Sequence, residues 1–299
     1  KLRPPSAPAT LHRLNCPPLK TADMAKRSPD PAASPPAGSL RWFAWLFAPP
    51  SARPLVACAF ALDLELRMIS EARVDHGVTH LKLQWWREEI QRLVQGRPRH
   101  PLTQAAHAAA PDAGPAWRPI EDLLSSLELD LACSTYETEL ELDRYFELAD
   151  GLLRMMSAVL APADAHLETF ARAAGQAVRA IEMIRDLRQD AVNGRIYLPL
   201  AWLESEGIHH GELRLKDTSA GVRRCLARLA ARAREQSRQA CEAMTAGGPA
   251  ELRSQMVFLG LHLALLDRIE REQFTVGRQR FELSPMRSLW TAWRLARQH

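Results

Sequence analysis

Two aspartates four residues apart, Asp186 and Asp190, put both carboxylates on one face of a helix, and Glu182 stands one turn earlier on the same stripe. At an exposed surface, like charges at this spacing repel by a few tenths of a kcal/mol per pair, so a structural helix more often breaks the row with Lys or Arg. A stripe of oxygens suits Mg²⁺, which takes one or two carboxylates and completes its octahedron with water and substrate phosphates. Arg185 and Arg195 could add charge-assisted bonds to such a phosphate. The plainer reading of the same spacing is a solvated acidic face partnered by Arg185 and Arg188.

The pattern around these residues predicts the helix that must carry them. It runs from Pro162, a residue suited to a first turn, to the stop at Asn193-Gly194. Further helices are expected over residues 53–71, 79–94, 101–109, 119–132, 138–160, 198–206, 219–245 and 251–272. Alternating β-branched stretches and hairpin turns are missing, and no repeat period is visible, so residues 40–299 read as one all-α domain. At 46% hydrophobic and 25% charged, the 299-residue chain is ordinary globular material. It has no apolar run of about 18 residues that could span a membrane.

Residues 1–39 hold nine of the 21 prolines and are expected to be a disordered tail, with Met24 as the natural start and residues 1–23 upstream of it. That tail also carries the whole excess charge of +4, with six basic groups against two acids, which leaves 33 of each sign in residues 40–299. The basic balance is therefore no sign of a nucleic-acid groove, and no nucleic-acid partner is expected. Five scattered cysteines without a CxxC pair argue against a disulfide framework or a zinc site and fit a cytoplasmic protein.

The wider string around the aspartates is more specific than their spacing. Arg185, Asp186 and Asp190, followed by Gly194, Arg195, Tyr197, Leu198 and Pro199, closely resemble the second aspartate-rich motif of the squalene/phytoene synthase family. Gly175 and Ala177 match the small residues upstream. The resemblance extends over most of residues 40–299: Phe60-Ala61, Trp86-Arg87-Glu88, His100-Pro101, Asp130 and the stretch Tyr145 to Gly151 all look like family features. It implies an all-α isoprenoid-synthase bundle around a central apolar cavity. It also implies a prenyltransferase that joins two prenyl diphosphates head to head with Mg²⁺ held between two facing aspartate-rich helices. On this resemblance Asp186, Asp190 and Tyr197 are the catalytic candidates, and Asp186, Asp190, Glu182 and Glu71 the metal candidates. Arg185, Arg195, Arg67 and Arg179 are the candidates for the diphosphate.

The departures are as informative. Where the family's first motif usually reads D-D-x-x-D, this chain has Arg67-Met68-Ile69-Ser70-Glu71, so only Glu71 could serve as an acid there. Gln189, Arg179 and Glu182 also differ from the residues common in the family. An inward Arg67 would repel a divalent ion at 4 Å by several kcal/mol, even at an effective dielectric near 20. Either Arg67 pairs with Asp186 or Asp190 and closes the metal site, or Arg67 and Arg179 hold a diphosphate directly. The segment L-K-L-Q-W-W-R-E-E-I over residues 81–90 resembles a bacterial subgroup and the mitochondrial complex I assembly-factor branch, which is regarded as lacking the metal motifs.

Two functions are therefore expected to compete. One is a prenyl-diphosphate-binding transferase of isoprenoid biosynthesis that acts by Mg²⁺-assisted ionisation of an allylic diphosphate. The other is a non-catalytic relative that binds lipid or a protein partner, as in respiratory-complex assembly. Residues 284–299 hold Trp290, Trp293, Arg287, Arg294 and Arg297 and no acid. A helix there either docks on the bundle with its arginines outward or rests on the inner membrane face as a peripheral contact. His209-His210 is expected to be a solvated loop without nearby acids.

Overall fold

The computed structural model describes residues 34–71, 76–162, 165–244 and 249–297; Met24 and residues 1–33 lie outside them. Twelve α-helices run through the described residues: α1 (Leu40–Leu46), α2 (Arg53–Glu71), α3 (His76–Val94), α4 (Pro101–Ala109), α5 (Pro119–Leu131), α6 (Glu139–Ala149), α7 (Gly151–Leu160), α8 (Ala165–Val192), α9 (Leu200–Ser205), α10 (Ala220–Ala243), α11 (Arg253–Arg271) and α12 (Pro285–Ala296). No strand occurs among the described residues, as the sequence predicts. Nor is any helix among them long and apolar enough to cross a membrane.

Local chemistry sets most helix starts. Ser39, Thr138, Ser219 and Ser284 each accept a backbone N–H from the first turn of the helix that follows. His100 caps α4 through Nδ1, with Pro101 at the first helical position. Residues 34–39, expected to belong to the tail, instead fold onto the bundle: Pro35 is buried and Ser39 caps α1. The solvated loop expected at His209-His210 is a short 3₁₀ turn. His209 caps it, and Glu212 reaches back to the His209 N–H.

The 28-residue α8 is the spine, packed against α6, α7, α10 and α11. Buried Ala173, Ala174, Ala177 and Ala180 let its neighbours approach closely, and Ile181 and Ile184 fill the core between them. On the far side, α2 packs against α4 and α5, and the fully buried Trp86 of α3 lies against the His100 ring at 4.6 Å. Buried Glu89 ties these elements together. It accepts the Arg99 and His100 backbone N–H groups at 2.7 and 2.8 Å, the Thr103 hydroxyl, and Arg92 at 2.8 Å.

The one helix expected over residues 138–160 is two, α6 and α7, which meet at Asp150. The break has a packing cause. At Gly151 the chain runs so close to α5 that an added Cβ would lie 2.2 Å from the Pro119 carbonyl oxygen and 3.0 Å from the Leu123 nitrogen. Both obstacles are backbone, so neither can swing aside. Gly151→Ala should therefore destabilise the fold by about 2–3 kcal/mol, within the usual cost of overpacking. A urea midpoint that fell in proportion would confirm the contact, and an unchanged midpoint would mean that α5 and α7 separate freely.

Candidate functional site

The site is built at the C-terminal end of α8. Arg179, Glu182, Asp186 and Asp190 follow one another at helical intervals along one side of this helix. Asn193 and Gly194 then end it, with Gly194 at φ +87°, a conformation open to glycine without strain. That turn sends the chain back over the helix end. The Arg195 N–H donates to the Asp190 carbonyl at 2.9 Å, and the Arg195 guanidinium reaches across the bundle to the Ser70 carbonyl at 2.6 Å. Two residues on, Tyr197 enters the core, and the Leu200 N–H bonds to the Tyr136 carbonyl at 2.8 Å.

A cleft of about 520 Å³ opens here, between the end of α8 and residues 276–280. Its charged lining is Arg185, Arg188, Arg195, Arg278 and Arg280 against Asp186 and Asp190, a surplus of three positive charges even with both aspartates ionised. Asp186 is clamped. Arg185 Nε lies 3.0 Å from each carboxylate oxygen, Arg185 Nη2 is also in contact, and Arg280 Nε donates at 2.8 Å from the opposite wall. Burial would lift the Asp186 carboxyl, but Arg185 and Arg280 together hold it below the usual carboxylate range. Asp190 is different. Burial lifts it to about 7, Arg179 and Arg195 offset that only in part, and the nearest Arg195 nitrogen is 3.9 Å away. Beyond the Arg185–Arg280 wall lies a second cleft of about 430 Å³, lined in part by Leu40, His262, Leu265, Phe281 and Leu283.

Deeper in the bundle three guanidinium groups face three carboxylates. Asp63, fully buried on α2, accepts from Arg41 at 2.5 Å and from Arg67 at 2.7 Å. Glu182 has Arg41, Arg179 and the His262 ring at 3.8–3.9 Å. Burial would raise the Glu182 carboxyl, yet His262 and the guanidiniums of Arg67, Arg41 and Arg185 hold it well below the usual range. Arg179 donates to the Tyr145 and Tyr197 hydroxyls at 2.7 and 2.8 Å, and both hydroxyls donate to Asp130 Oδ1, at 2.9 and 2.7 Å. The void at the centre of this network measures only about 20 Å³, room for about one water.

The structure thus splits the residues expected at the site. Asp186, Asp190, Arg185 and Arg195 line the open cleft, whereas Arg67, Arg179, Glu182 and Tyr197 belong to the buried network. The partner of Arg67 is Asp63 of its own helix, rather than Asp186 or Asp190. Glu71 closes α2, and its side chain lies outside the described residues. Sequence reasoning missed Arg41, His262 and Arg280, and the pairings of Asp63 and Asp130. Only the i, i+4 spacing of Asp63 and Arg67 offered a signal.

A divalent ion does not fit this donor set. Both Asp186 oxygens already accept from arginines, and Asp63 and Glu182 are answered by cations, which leaves Asp190 as the one carboxylate of the cleft without a close cation. Among the described residues no group of three or more His, Cys, Asp or Glu is arranged to hold a metal.

An all-α bundle whose central helix ends in paired aspartates beneath an arginine-lined cleft defines an isoprenoid-synthase type of protein. The squalene/phytoene synthase family profile matches residues 38–287, and the chain belongs to that family, a family of isoprenoid biosynthesis. It is 30% identical to the phytoene synthase of Thermus thermophilus over 59% of this chain and 61% of that one. It is 27% identical to the bifunctional lycopene cyclase/phytoene synthase of Phaeosphaeria nodorum over 59% of this chain and 32% of that one. The chain therefore spans less than two thirds of either curated relative. Among solved structures, a ligand-bound dehydrosqualene synthase superposes with a TM-score of 0.74 at 16% identity over 92% of this chain and 93% of that one. Squalene synthase HpnC from Alicyclobacillus acidocaldarius superposes at 0.67 and 23% identity over 78% and 88%. At these identities the superpositions establish the fold.

The raised Asp190 carboxyl has a definite sign in stability. The folded state holds this proton between about pH 4 and 7 while the unfolded chain has released it, so stability falls as pH rises through that window and is level above it. Asp150, which burial also lifts to about 7 against Arg154, Gln176 and Arg172, titrates in the same window and leaves part of the slope in place. Asp190→Asn should flatten the slope and raise stability at pH 8 by about 1–3 kcal/mol. Urea denaturation of both proteins at pH 5 and pH 8 checks this; a variant that is less stable at pH 8 would mean Asp190 is held by a cation.

Proposed function

We propose that this chain binds an allylic prenyl diphosphate and transfers its prenyl group. The diphosphate lies in the arginine cleft, and the prenyl tail lies in the adjoining cleft behind Arg185 and Arg280. The observation that carries this reading is the positive surplus around Asp186 and Asp190, at the position of the family's second motif. Breaking the allylic C–O bond leaves the electron pair, and the developing negative charge, on the diphosphate. Guanidiniums fixed in a half-buried cleft stabilise that charge without reorganising, and their planar forks suit phosphate oxygens. Arg185 and Arg280 are paired with Asp186 in the free protein, so a diphosphate would compete with that carboxylate for them. Asp190, protonated over much of the range near neutrality, repels the anion less than an ordinary aspartate and can donate to it. No step is assigned to Mg²⁺, because Asp186 and Glu182 already face arginines and Asp190 alone is left open to the cleft.

The two clefts, about 520 and 430 Å³, each fall in the range of small-molecule sites. In the second, Leu40, Leu265, Phe281 and Leu283 supply apolar wall beside the charged Arg41, Glu182, Arg185, Arg280 and Glu282. One observation favours the rival reading of a non-catalytic relative that serves as a lipid-binding or assembly scaffold: the centre of the bundle, with about 20 Å³, has no room for a prenyl chain as it stands.

The test is diphosphate release from farnesyl and geranylgeranyl diphosphate by the full chain, compared with Arg195→Ala and Arg280→Ala. Each lost charge-assisted contact should lower kcat/KM roughly 10- to 100-fold. No release from either substrate, together with no binding of either, would sink the transferase reading and favour the scaffold.

A further inference from the structure

We propose that α12 is a docking surface for an anionic lipid bilayer. The helix is built inside out for a soluble protein. The face turned to the bundle carries Ser288, Thr291 and Ala292, all buried, with Leu295 filling the space above Gly260, where an added Cβ would lie 2.2 Å from Leu295 Cδ1. The opposite face carries the large apolar side chains. Met286 is 76% exposed, Leu289 40%, Trp290 56% and Trp293 46%. Their spacing of i, i+3, i+4 and i+7 makes one continuous stripe. Nine large apolar side chains are exposed among the described residues, and four of them sit on this one helix, so the stripe is a cluster rather than scatter.

Charge identifies the occupant. Arg294 lies 4.9 Å from the centre of the Trp290 ring, and Arg297 lies 4.9 Å from that of Trp293, so guanidiniums border the apolar stripe. Arg287 adds a third cation two turns before Arg294. Among the described residues none of the three is in an ion pair, and the helix itself contains no acid. Tryptophan rings with a ring of cations beside them suit the boundary between headgroups and acyl chains. There the indoles sit at the polar edge, and each arginine gains from anionic headgroups. The neighbouring α1 packs on the same helix and brings the half-buried Trp42 and Trp45. A second copy of the chain would bring the same three unpaired cations to the interface and so is the poorer partner. This inference stands apart from the diphosphate reading, since none of these residues lines either cleft.

The test is co-sedimentation of the full chain with vesicles of phosphatidylcholine alone and of phosphatidylcholine with phosphatidylglycerol. Partitioning should be on the order of 100-fold stronger on the anionic vesicles, given about a fivefold gain per arginine, and should weaken with salt. Brominated lipid should quench tryptophan fluorescence. Trp290→Ser with Trp293→Ser should cut partitioning at least about tenfold and reduce the quenching. Arg294→Gln with Arg297→Gln, wholly on the surface, should erase most of the preference for anionic lipid and serves should the tryptophan variant fold poorly. Equal weak binding to both vesicles would overturn the proposal. So would a concentration-dependent dimer, measured by sedimentation velocity, that the tryptophan variant abolishes while vesicle binding is absent.

Discussion

A guanidinium buried inside a helical bundle must be answered by carboxylates, because an unpaired charge in that setting costs several kcal/mol. Most of this structure follows from meeting that requirement three times over. Arg41 comes from α1, Asp63 and Arg67 from α2, Asp130 from α5, Tyr145 from α6, Arg179 and Glu182 from α8, and His262 from α11. Six helices thus converge on one network, and Tyr197 joins it from the segment that follows α8. Its members are bound in a definite order, and the remaining void is too small to admit more than about one water.

That network also decides what the open end of the bundle can do. Asp63 and Glu182 are neutralised from within the protein, and the permanently charged Arg67 is answered by Asp63, with Glu182 adding to the favourable field around it. Positive charge at the mouth is then supplied by side chains. Arg195, thrown back by Gly194, ties the end of α8 to α2 through the Ser70 carbonyl, and Arg280 closes the opposite wall on Asp186. On the proposed reading, the second aspartate-rich stretch remains at the cleft, while Arg67 is held by Asp63 inside the bundle.

The parts of this arrangement legible in the sequence were those encoded locally. Helix α2 lies at its expected bounds, Arg53–Glu71, because Pro54 and the apolar period mark it without reference to anything else. The string from Arg185 to Pro199 marked both the family and the end of α8, since the turn at Gly194 depends only on neighbouring residues, whereas the cleft against residues 276–280 was not legible there. The break at Asp150 was hidden, because its cause is the Pro119 backbone, more than thirty positions away. The partner of Arg280 was hidden for the same reason: it lies 94 positions from Asp186. The sequence marks Arg67 as a cation within a mostly apolar helix, but which acid answers it depends on the rotation of α2. Asp63, one turn back, won over the aspartates of α8.

The claim that guanidiniums have replaced the metal can be tested most directly through affinity. Binding of a non-ionisable farnesyl diphosphate analogue should be measured by calorimetry on the full chain, once with a chelator and once with saturating Mg²⁺. The arrangement predicts dissociation constants that agree within about threefold, a difference under about 1 kcal/mol. Binding that appears only with Mg²⁺, or that strengthens on the order of 100-fold with it, would contradict the account. The aspartates of α8 would then leave their arginines to hold the metal after all.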